Sequence, residues 1–500
     1  MGSNAEPKYL YQSVTDGPSP PVVTSAEGMY FTLENGLKIL DATCGAAVSA
    51  IGHGNEQVKN AVIRQLNTVA YCHPGFFQNS PALELADLLI DSTGGRLSRA
   101  CILGSGLVFP SSVFIIKYAA FDYLFFFLAF FRANIWNNVP GSEAVEAAMK
   151  LAYQYFAEQT QGTTADTAQR VNFISRRGSW HGCTIAALSV GDIKSRRTIF
   201  EPLLLKNVSK VSPCHPWREM RQGESVEQYV ARLKDELEDE FQRLGPETVA
   251  AFILEPMVGT ALGCVTAAPG YLRAVREVCD RHGALLIFDE IMCGLGRTGA
   301  QHAWQHDDVA PDIQTVGKVL GGGYGPVSAV LVNERVINAL KRGSGSFAHG
   351  QTYQAQPLGC VAALATQRYI KENNLVENAQ RMGDYLGEQL KTHLENHPIV
   401  GDIRGRGLFW GVELVRDKLT KVPLDPELGL AKRIRARGLE KGYEVCIFSA
   451  TGAADGWKGD QFLIAPAFTV QKNDVDEIVR RVVKVMESVW KDIQQLALGG

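Results

Sequence analysis

The chain has 500 residues, of which 46% are hydrophobic and 21% charged, and this balance predicts a large globular protein with a substantial core. Its formal net charge is −3, and no long run of like charges occurs in it. Such a charge distribution offers no electrostatic footprint for nucleic acid or for an anionic membrane surface. We therefore predict neither of these as a partner.

The 10 cysteines are scattered, with no CxxC pair and no clustered Cys/His spacing typical of a zinc site. They are expected to be reduced thiols, and no metal is predicted. The first residues show neither a signal-peptide nor a transit-peptide pattern, and Glu6 stands where the myristoylation pattern requires Ser or Thr. These features predict a cytoplasmic protein.

The N-terminal region begins with short strands around the turn signal Asn35-Gly36, and a helix follows from about Asn55. Further along, apolar runs alternate with helical segments such as "SVEQYVARLKDELEDEFQRLG" and "GYLRAVREVCDRHG". The apolar runs are "RVNFISRRG", "TVAAFILEP", "ALLIFDE" and "VSAVLVN". Near-continuous apolar strands separated by helices predict an α/β fold with a mostly parallel sheet and helices on both faces.

Residues 106–140 are anomalously apolar and directly precede the helical segment "GSEAVEAAMK". A membrane span needs roughly 20 mainly apolar residues. Pro110, Lys117 and Asp122 interrupt this segment, so that "YLFFFLAFF" is its longest clean run. A membrane span is thus the weaker interpretation, and a buried helix or a lid is another.

Asp289 and Lys318 are the candidate catalytic residues. Asp289 ends the apolar run in "ALLIFDEIMCGLGRTG", at the strand edge where parallel α/β sheets bind ligands. Lys318, in "DIQTVGKVLGGGYGP", has apolar neighbours that favour loss of its proton, as an amine nucleophile requires. The pair could be a structural salt bridge. It also matches the carboxylate and the lysine that pyridoxal phosphate chemistry requires.

With "GSEAVEAAMKLA" and "HGQTYQAQPLGCVAALA", these motifs make the chain resemble the class III aminotransferases from about Gly28 to its end. The resemblance implies pyridoxal 5′-phosphate as cofactor and the fold of type I pyridoxal phosphate enzymes. It implies that Lys318 forms the Schiff base with the cofactor and that Asp289 is the partner of the pyridine nitrogen. The implied reaction moves an amino group from an amine or amino acid to a keto acid.

The resemblance assigns further positions. In "RRGSWHG" it implies that Trp180 stacks on the cofactor with His181 beside it, whereas in isolation they would be a core tryptophan and a structural histidine. In "ILEPMVG" it places Glu255 near the cofactor's hydroxyl edge, although such a glutamate could also be a solvated turn residue. Gly141 and Ser142 would open a helix whose free N–H groups receive the phosphate.

Thr352, in "HGQTYQAQP", matches a residue that in this family reaches the phosphate of the neighbouring subunit's cofactor. This implies a homodimer with shared active sites. The implied division is an N-terminal segment, 1–70, that joins the small domain; a large cofactor-binding domain, 71–345; and a C-terminal small α+β domain, 346–500.

The substrate remains open because the family's Arg in "LRxxPP" is replaced here by Leu463. Upstream, where some relatives carry a mobile arginine, only Lys458 is present. Arg404 and Arg406 are either anion binders or exposed turn residues. The pattern favours an amine or ω-amino acid donor. The alternatives are a decarboxylase or aminomutase of the same fold, or a relative impaired by the apolar insertion.

Deleting residues 106–140 would produce "RACILGSGSEAVEAAMKLA", an uninterrupted strand, glycine turn and phosphate-binding helix. Gly106 and Gly141 are interchangeable at the two junctions. We therefore hypothesise that the segment is a translated intron or a gene-model error. If the chain is made as written, we expect weakened phosphate binding and aggregation.

Overall fold

The computed structural model describes residues 20–104, 140–160 and 170–498. Almost all of the anomalous apolar segment, up to residue 139, lies outside the described residues. Within these ranges, no helix has the length and apolar character needed to cross a bilayer.

A seven-stranded sheet forms the centre of the large domain, in the order β4-β12-β11-β10-β7-β5-β6. Its strands are β4 (Arg99–Gly104), β5 (Asn172–Arg176), β6 (Val208–Val211), β7 (Val249–Leu254), β10 (Leu285–Asp289), β11 (Ile313–Val316) and β12 (Val327–Val332). Only β12 runs antiparallel to its neighbours in this sheet. The predicted α/β fold with a mostly parallel central sheet is thus confirmed.

The apolar runs of the central strands follow from their burial on both faces. In β10, Leu285 and Ile287 pack into one core cluster, while Leu286 and Phe288 pack into another. The first cluster lies under α4 (Pro140–Thr160), and the second lies under α8 (Val226–Leu244) and α9 (Tyr271–His282). Because side chains alternate along a strand and both faces of this one are buried, its first four positions are all apolar.

The remaining helices before residue 345 have at most 12 residues. They are α1 (Cys44–Ala47), α2 (Glu56–Leu66), α3 (Ser80–Asp91), α5 (Ile185–Val190), α6 (Lys194–Arg197), α7 (Pro216–Glu219) and α10 (Glu334–Arg342). The predicted start of α2 is correct, because the Asn55 side chain accepts a hydrogen bond from the Val58 amide and caps the helix. A two-stranded ribbon, β8 (Met257–Val258) and β9 (Val265–Thr266), follows β7.

The C-terminal part forms a second sheet with helices packed on it. Its strands are β13 (Val400–Gly405), β14 (Trp410–Asp417), β15 (Val422–Pro423), β17 (Phe448–Ala450) and β18 (Asp460–Ile464). Its helices are α11 (Pro357–Glu372), α12 (Leu375–Leu394), α13 (Leu430–Gly438) and α14 (Lys472–Leu498).

A third sheet connects the two ends of the chain. It consists of β1 (Val23–Glu27), β2 (Tyr30–Leu33), β3 (Lys38–Asp41) and β16 (Val445–Cys446). Because β16 pairs in parallel with β3, the N-terminal strands are hydrogen-bonded to the C-terminal part. The domain boundaries at residues 70 and 345 stay a prediction.

Candidate active site

Asp289 is the last residue of β10, and its carboxylate is 4% exposed. Its Oδ2 lies 2.7 Å from His181 Nδ1. Its Oδ1 accepts hydrogen bonds from the Thr315 hydroxyl at 3.2 Å and from the Ile291 amide at 3.1 Å. Thr315 reaches it because the two residues are paired in the parallel register of β10 and β11. The carboxylate is therefore held in one orientation at the end of the sheet.

His181 is buried and uses one ring nitrogen for Asp289. Since a carboxylate accepts, Nδ1 is the nitrogen that donates in this pair. The other nitrogen, Nε2, is buried and has no hydrogen-bond partner among the described residues. An orphaned polar atom beside a fixed carboxylate is the kind of feature that a bound polar group completes.

Lys318 begins a short 3-10 helix, Lys318–Leu320, directly after β11 and the extended Gly317. Its φ is 44°, in the left-handed region that a non-glycine residue adopts at a cost of about 1 kcal/mol or more. Its amine has no hydrogen-bond or ion-pair partner in the part of the chain that the structure describes. Burial lowers the pKa of this amine, against the opposing charges of Asp289 and Glu255. Lys318 is thus available as a nucleophile.

Glu255 follows β7 and is 5% exposed, so the interpretation as a solvated turn residue is wrong. Its Oε1 accepts from the Trp180 amide at 3.1 Å, and its Oε2 accepts from the Gly259 amide at 3.0 Å. Burial raises the pKa of this carboxyl, and the negative charge of Asp289 adds to the effect. Glu255 consequently fixes the backbone that carries Trp180 and His181.

The start of α4 packs against the segment that follows His181. The Ser142 hydroxyl accepts a hydrogen bond from the Cys183 amide at 3.0 Å. A methyl group added at Gly182 would lie 2.3 Å from Ser142 Oγ, so only glycine fits between them. Gly141 is less tightly confined, with Ile291 Cγ2 3.0 Å from the position of an added methyl group. Gly141 and Ser142 therefore bring the helix N-terminus, a favourable place for an anion, next to His181.

Two contributors were missed in the sequence. Thr315 orients Asp289, and Ile291 lies between Gly141 and Gly317, with its Cγ2 3.5 Å from an added methyl group at Gly317. The only signals for them were the position of Thr315 in the neighbouring parallel strand and that of Ile291 just after the Asp289-Glu290 pair. Both contacts depend on which strands are neighbours and how they are aligned, and the sequence alone does not show this.

Thr352 lies apart from this group. It is exposed, and its backbone carbonyl accepts a hydrogen bond from the Tyr71 hydroxyl at 3.1 Å. Among the described residues, no hydrogen bond joins Thr352 to the other predicted site residues. The structure thus brings six of the eight predicted residues into one chain of contacts, places Lys318 within the electrostatic influence of Asp289 and Glu255, and leaves Thr352 on the surface.

The positions considered for binding a substrate carboxylate also differ from expectation. Leu463 is a buried residue of β18, 1% exposed. The interpretation of Arg404 as an exposed turn residue or an anion binder is wrong, because it lies on β13 and forms ion pairs with Asp402 and Glu413. Its guanidinium is thus already neutralised. Lys458 is exposed, in the loop before β18.

The donor set of this site fits pyridoxal 5′-phosphate. The N-terminus of α4 suits a phosphate, Asp289 suits a protonated ring nitrogen, and Lys318 suits an aldehyde. The His181 Nε2 atom, which is buried and unpartnered, and the Trp180 ring suit the polar edge and the face of such a heterocycle.

Comparison with known proteins agrees with this arrangement. The family model described as aminotransferase class-III matches residues 11–111 and 130–486. A Gibberella zeae aminotransferase is 42% identical over 492 residues, which cover 98% of this chain and 86% of that protein. An uncharacterized aminotransferase of Schizosaccharomyces pombe is also 42% identical, over 94% of this chain and 93% of that protein.

Solved structures with a similar fold are transaminases. An amine transaminase from an uncultivated Pseudomonas species, in its pyridoxal-phosphate-bound form, superposes with a TM-score of 0.83. It is 28% identical and covers 97% of this chain and 100% of its own. An engineered thermostable omega transaminase gives a TM-score of 0.82 at 28% identity, covering 97% of this chain and 98% of its own.

Proposed function

This chain belongs to the class III aminotransferases, and we propose that it moves an amino group from an amine or ω-amino acid to a keto acid through Lys318. Pyridoxal-phosphate dependence and transaminase activity are properties of the family. The observation that carries the proposed role is the unpartnered Lys318 amine beside the Asp289–His181 pair. No other lysine shares this setting at the end of the central sheet within the described ranges.

When bound, pyridoxal phosphate supplies an aldehyde and an electron-withdrawing ring. Asp289, held by His181 and Thr315, keeps a proton at the ring nitrogen. Lys318 Nζ would take the proton from the carbon that bears the substrate's amino group and would deliver it to the carbon that carried the cofactor's aldehyde. Its lowered pKa favours the neutral amine that this step needs. The helix N-terminus at Gly141 and Ser142 receives the phosphate, and Trp180 covers the ring.

The decisive experiment measures keto or aldehyde product from an amine donor, with and without an added keto acid. We expect product only when the acceptor is present, and none from K318A. K432A changes an exposed lysine of α13 without ion pairs and serves as the matched control. Release of CO₂ without an acceptor would favour a decarboxylase, and no turnover by cofactor-loaded wild type would favour an impaired relative.

We also propose that the protein works as a homodimer with shared active sites. Thr352 is exposed and contacts Tyr71, which is 42% exposed, and the segment that follows Tyr71 carries Phe76 and Phe77, which are 79% and 65% exposed. Exposed aromatic residues in this number favour an interface. Thr352 would then approach the phosphate bound by the other subunit.

Subunit complementation tests this arrangement. T352E places a negative charge opposite the phosphate and should be inactive, as K318A should be. Co-expressed together, they form mixed dimers with one intact site, so activity should return. If it does not return although mixed dimers are isolated, Thr352 acts within its own chain and the shared site is wrong.

The proposed cytoplasmic location is supported by all 10 cysteines being free thiols, which is typical of a reducing compartment. Microscopy of the tagged protein would test it.

We propose further that residues 106–140 are not part of the working enzyme. Ser328 pairs with Leu103 near the end of β4, and its hydroxyl donates to the Pro140 carbonyl at the start of α4. Leu103, which lies before the segment, and Pro140, its last residue, therefore meet at the same residue. The family match also breaks at residues 112–129.

A variant lacking residues 106–140 should bind the cofactor more tightly and aggregate less than the full chain. Equal cofactor occupancy of the two forms, or mature transcript that retains these codons, would refute the proposal.

A further inference from the structure

Lys210, on the edge strand β6, donates hydrogen bonds to the carbonyls at the end of α5. Its Nζ lies 3.0, 2.9 and 2.8 Å from the carbonyl oxygens of Ser189, Val190 and Gly191. It also lies 3.2 Å from the hydroxyl of Ser175, which is paired with Lys210 in the register of β5 and β6. The last carbonyls of a helix have no partner within it, and a cation beside them is favourable. Lys210 is thus a charged cap supplied to α5 by the sheet.

The partners of Lys210 are carbonyls and a hydroxyl instead of an acid. Among the described residues, no carboxylate forms an ion pair with Lys210. Burial lowers the pKa of its amine to about 7, while the charges of Asp192 and Glu201 oppose this effect and that of Arg197 adds to it. Both acids are paired with Arg197, which also donates to the Gly191 carbonyl at 3.0 Å. An ordinary salt bridge therefore does not explain why a lysine stands here.

The end of α5 is hydrogen-bonded back to the residues that lie just before the helix. The Asp192 amide donates to the Ser179 carbonyl at 2.8 Å, and the Asp192 carboxylate accepts from the Gly178 amide at 3.2 Å. The Ser179 hydroxyl also donates to the Val190 carbonyl at 3.4 Å. These bonds fasten the two ends of residues 178–192 to each other, and we call this segment the 178–192 loop.

The 178–192 loop contains the two side chains assigned to the face and the polar edge of the cofactor. Trp180 and His181 directly follow the residues that fasten the loop. At the other end of the loop, the Ser189 carbonyl receives a hydrogen bond only from Lys210 among the described residues. The placement of Trp180 and His181 is therefore linked to Lys210 through the hydrogen bonds of the loop.

We propose that Lys210 is a positioning residue for the cofactor, because by holding the end of α5 it keeps Trp180 and His181 where the cofactor ring needs them. This inference rests on the proposed function, which assigns these two side chains to the cofactor. Without the charged donor, buried carbonyls lose their partner, and the 178–192 loop gains freedom that it must lose again when the cofactor binds. Lys210 therefore acts on the affinity for the cofactor and not on the chemical step.

Hydrogen exchange of the cofactor-free protein tests the effect of Lys210 on the loop. K210M keeps the length of the side chain without its donors, and K210R keeps a cation. K206M is the matched control, since Lys206 is exposed and its amine contacts only the Glu201 carbonyl, at 3.5 Å, among the described residues. Amides of the 178–192 loop should exchange about tenfold faster or more in K210M, the usual effect of losing a charge-assisted hydrogen bond. K210R should fall between K210M and wild type, and K206M should match wild type.

Titration of the cofactor-free protein with pyridoxal phosphate, followed by the absorbance of the bound cofactor, tests the effect on affinity. K210M should raise the Kd about tenfold, K210R should raise it less, and K206M should leave it unchanged. With saturating cofactor, the kcat of K210M should stay within about threefold of wild type, because Lys318 and Asp289 are intact. V482A, which opens a cavity in the core under α14, lowers the stability away from the loop and should leave the Kd unchanged.

The pH dependence of the Kd gives a further readout. The Lys210 amine, with its pKa near 7, loses one of its three N–H groups as the pH rises through that value. Wild type should therefore approach K210M, so that the ratio of their Kd values falls between about pH 6 and about pH 8.5. The ratio between K210M and K210R should stay constant, because arginine keeps its charge over this range.

Three results would overturn the inference. One is unchanged exchange of the 178–192 loop in K210M, and another is faster exchange with an unchanged Kd, which would limit Lys210 to stability. The third is an equal rise of the Kd in V482A, which would make the effect a general consequence of lower stability. If wild type takes up cofactor but transfers no amino group from any donor, the proposed function fails, and exchange and affinity still test Lys210.

Discussion

Asp289 and Glu413 are both buried carboxylates that lie beside a histidine, but the groups that surround them differ. Asp289, at the end of the central sheet, accepts from His181, Thr315 and a backbone amide. Glu413, on β14 of the C-terminal sheet, is fully buried and forms ion pairs with two arginines. One carboxylate is surrounded by donors that orient it, and the other by cations that neutralise it.

This contrast separates a reactive site from a structural one. Beside Asp289 the Lys318 amine and His181 Nε2 stay unpartnered among the described residues, so the site can still bind. At Glu413 the carboxylate and the two arginines are already paired with each other. Burial raises the pKa of the Glu413 carboxyl, but the charge of Arg404, a hydrogen bond with His215 and the charge of Arg218 together lower it to about 2. Arg218 lies on α7, so the pair connects the C-terminal sheet to the large domain.

The largest effect is expected at Asp289. D289N keeps the shape of the side chain but removes the charge that holds a proton on the ring nitrogen. Turnover should fall by about a thousandfold, within the range of acid–base contributions, while thermal unfolding changes little. Steady-state kinetics and calorimetry measure the two quantities. A loss of less than tenfold would contradict the assigned role.

E413Q should have the opposite effects to D289N: it should lower the stability of the protein and leave its activity nearly unchanged. It removes the acidic partner that Arg218 has among the described residues and leaves Arg404 with Asp402 alone, which costs about 3 kcal/mol in the free energy of unfolding. The specific activity of the folded fraction should remain close to that of wild type. Denaturant titration measures the loss, and E388Q, an exposed glutamate of α12 without an ion pair, is the control. Equal stability of E413Q and E388Q would show that the cluster is not structural.

The pH dependence of the unfolding free energy tests the structural role of the Glu413 carboxylate in a second way. The folded-state pKa of Glu413, about 2, lies below its ordinary value of 4.5. Its contribution is therefore complete above pH 4.5 and is lost as the pH falls towards 2, because the unfolded chain then takes up a proton first. The difference in unfolding free energy between wild type and E413Q should shrink over this window. A constant difference would place the effect elsewhere.

The smallest effect is expected from T315V, which removes one hydrogen bond to Asp289 and keeps the side-chain shape. A hydrogen bond to a charged carboxylate contributes about 1.5 kcal/mol at the lower end of its range, so kcat/KM should fall by roughly tenfold. T248V, which removes a hydroxyl near the start of β7 away from the site, is the control. A fall of a hundredfold would mean that Thr315 does more than orient the carboxylate.

Much of the candidate site could be predicted because its residues lie in contiguous motifs. Asp289 and Lys318 follow apolar runs that burial on both faces of a parallel sheet requires, and Gly141 and Ser142 open a helix. Thr315 and Ile291 could not be predicted in the same way, since their contacts depend on which strands are neighbours. Arg404 was misjudged for the same reason, because Glu413 lies on the adjacent strand.

The sequence by itself thus determined the family, the cofactor and the apolar pattern of the central strands, because these depend on local order along the chain. Only the tertiary structure decided which charges remain free. Arg404 was interpreted as an anion binder or an exposed turn residue, yet Glu413 on the adjacent strand neutralises it, whereas the amine of Lys318 keeps no ion pair among the described residues. Whether a charged side chain is available depends on neighbours that are distant in sequence, and folding alone brings them together.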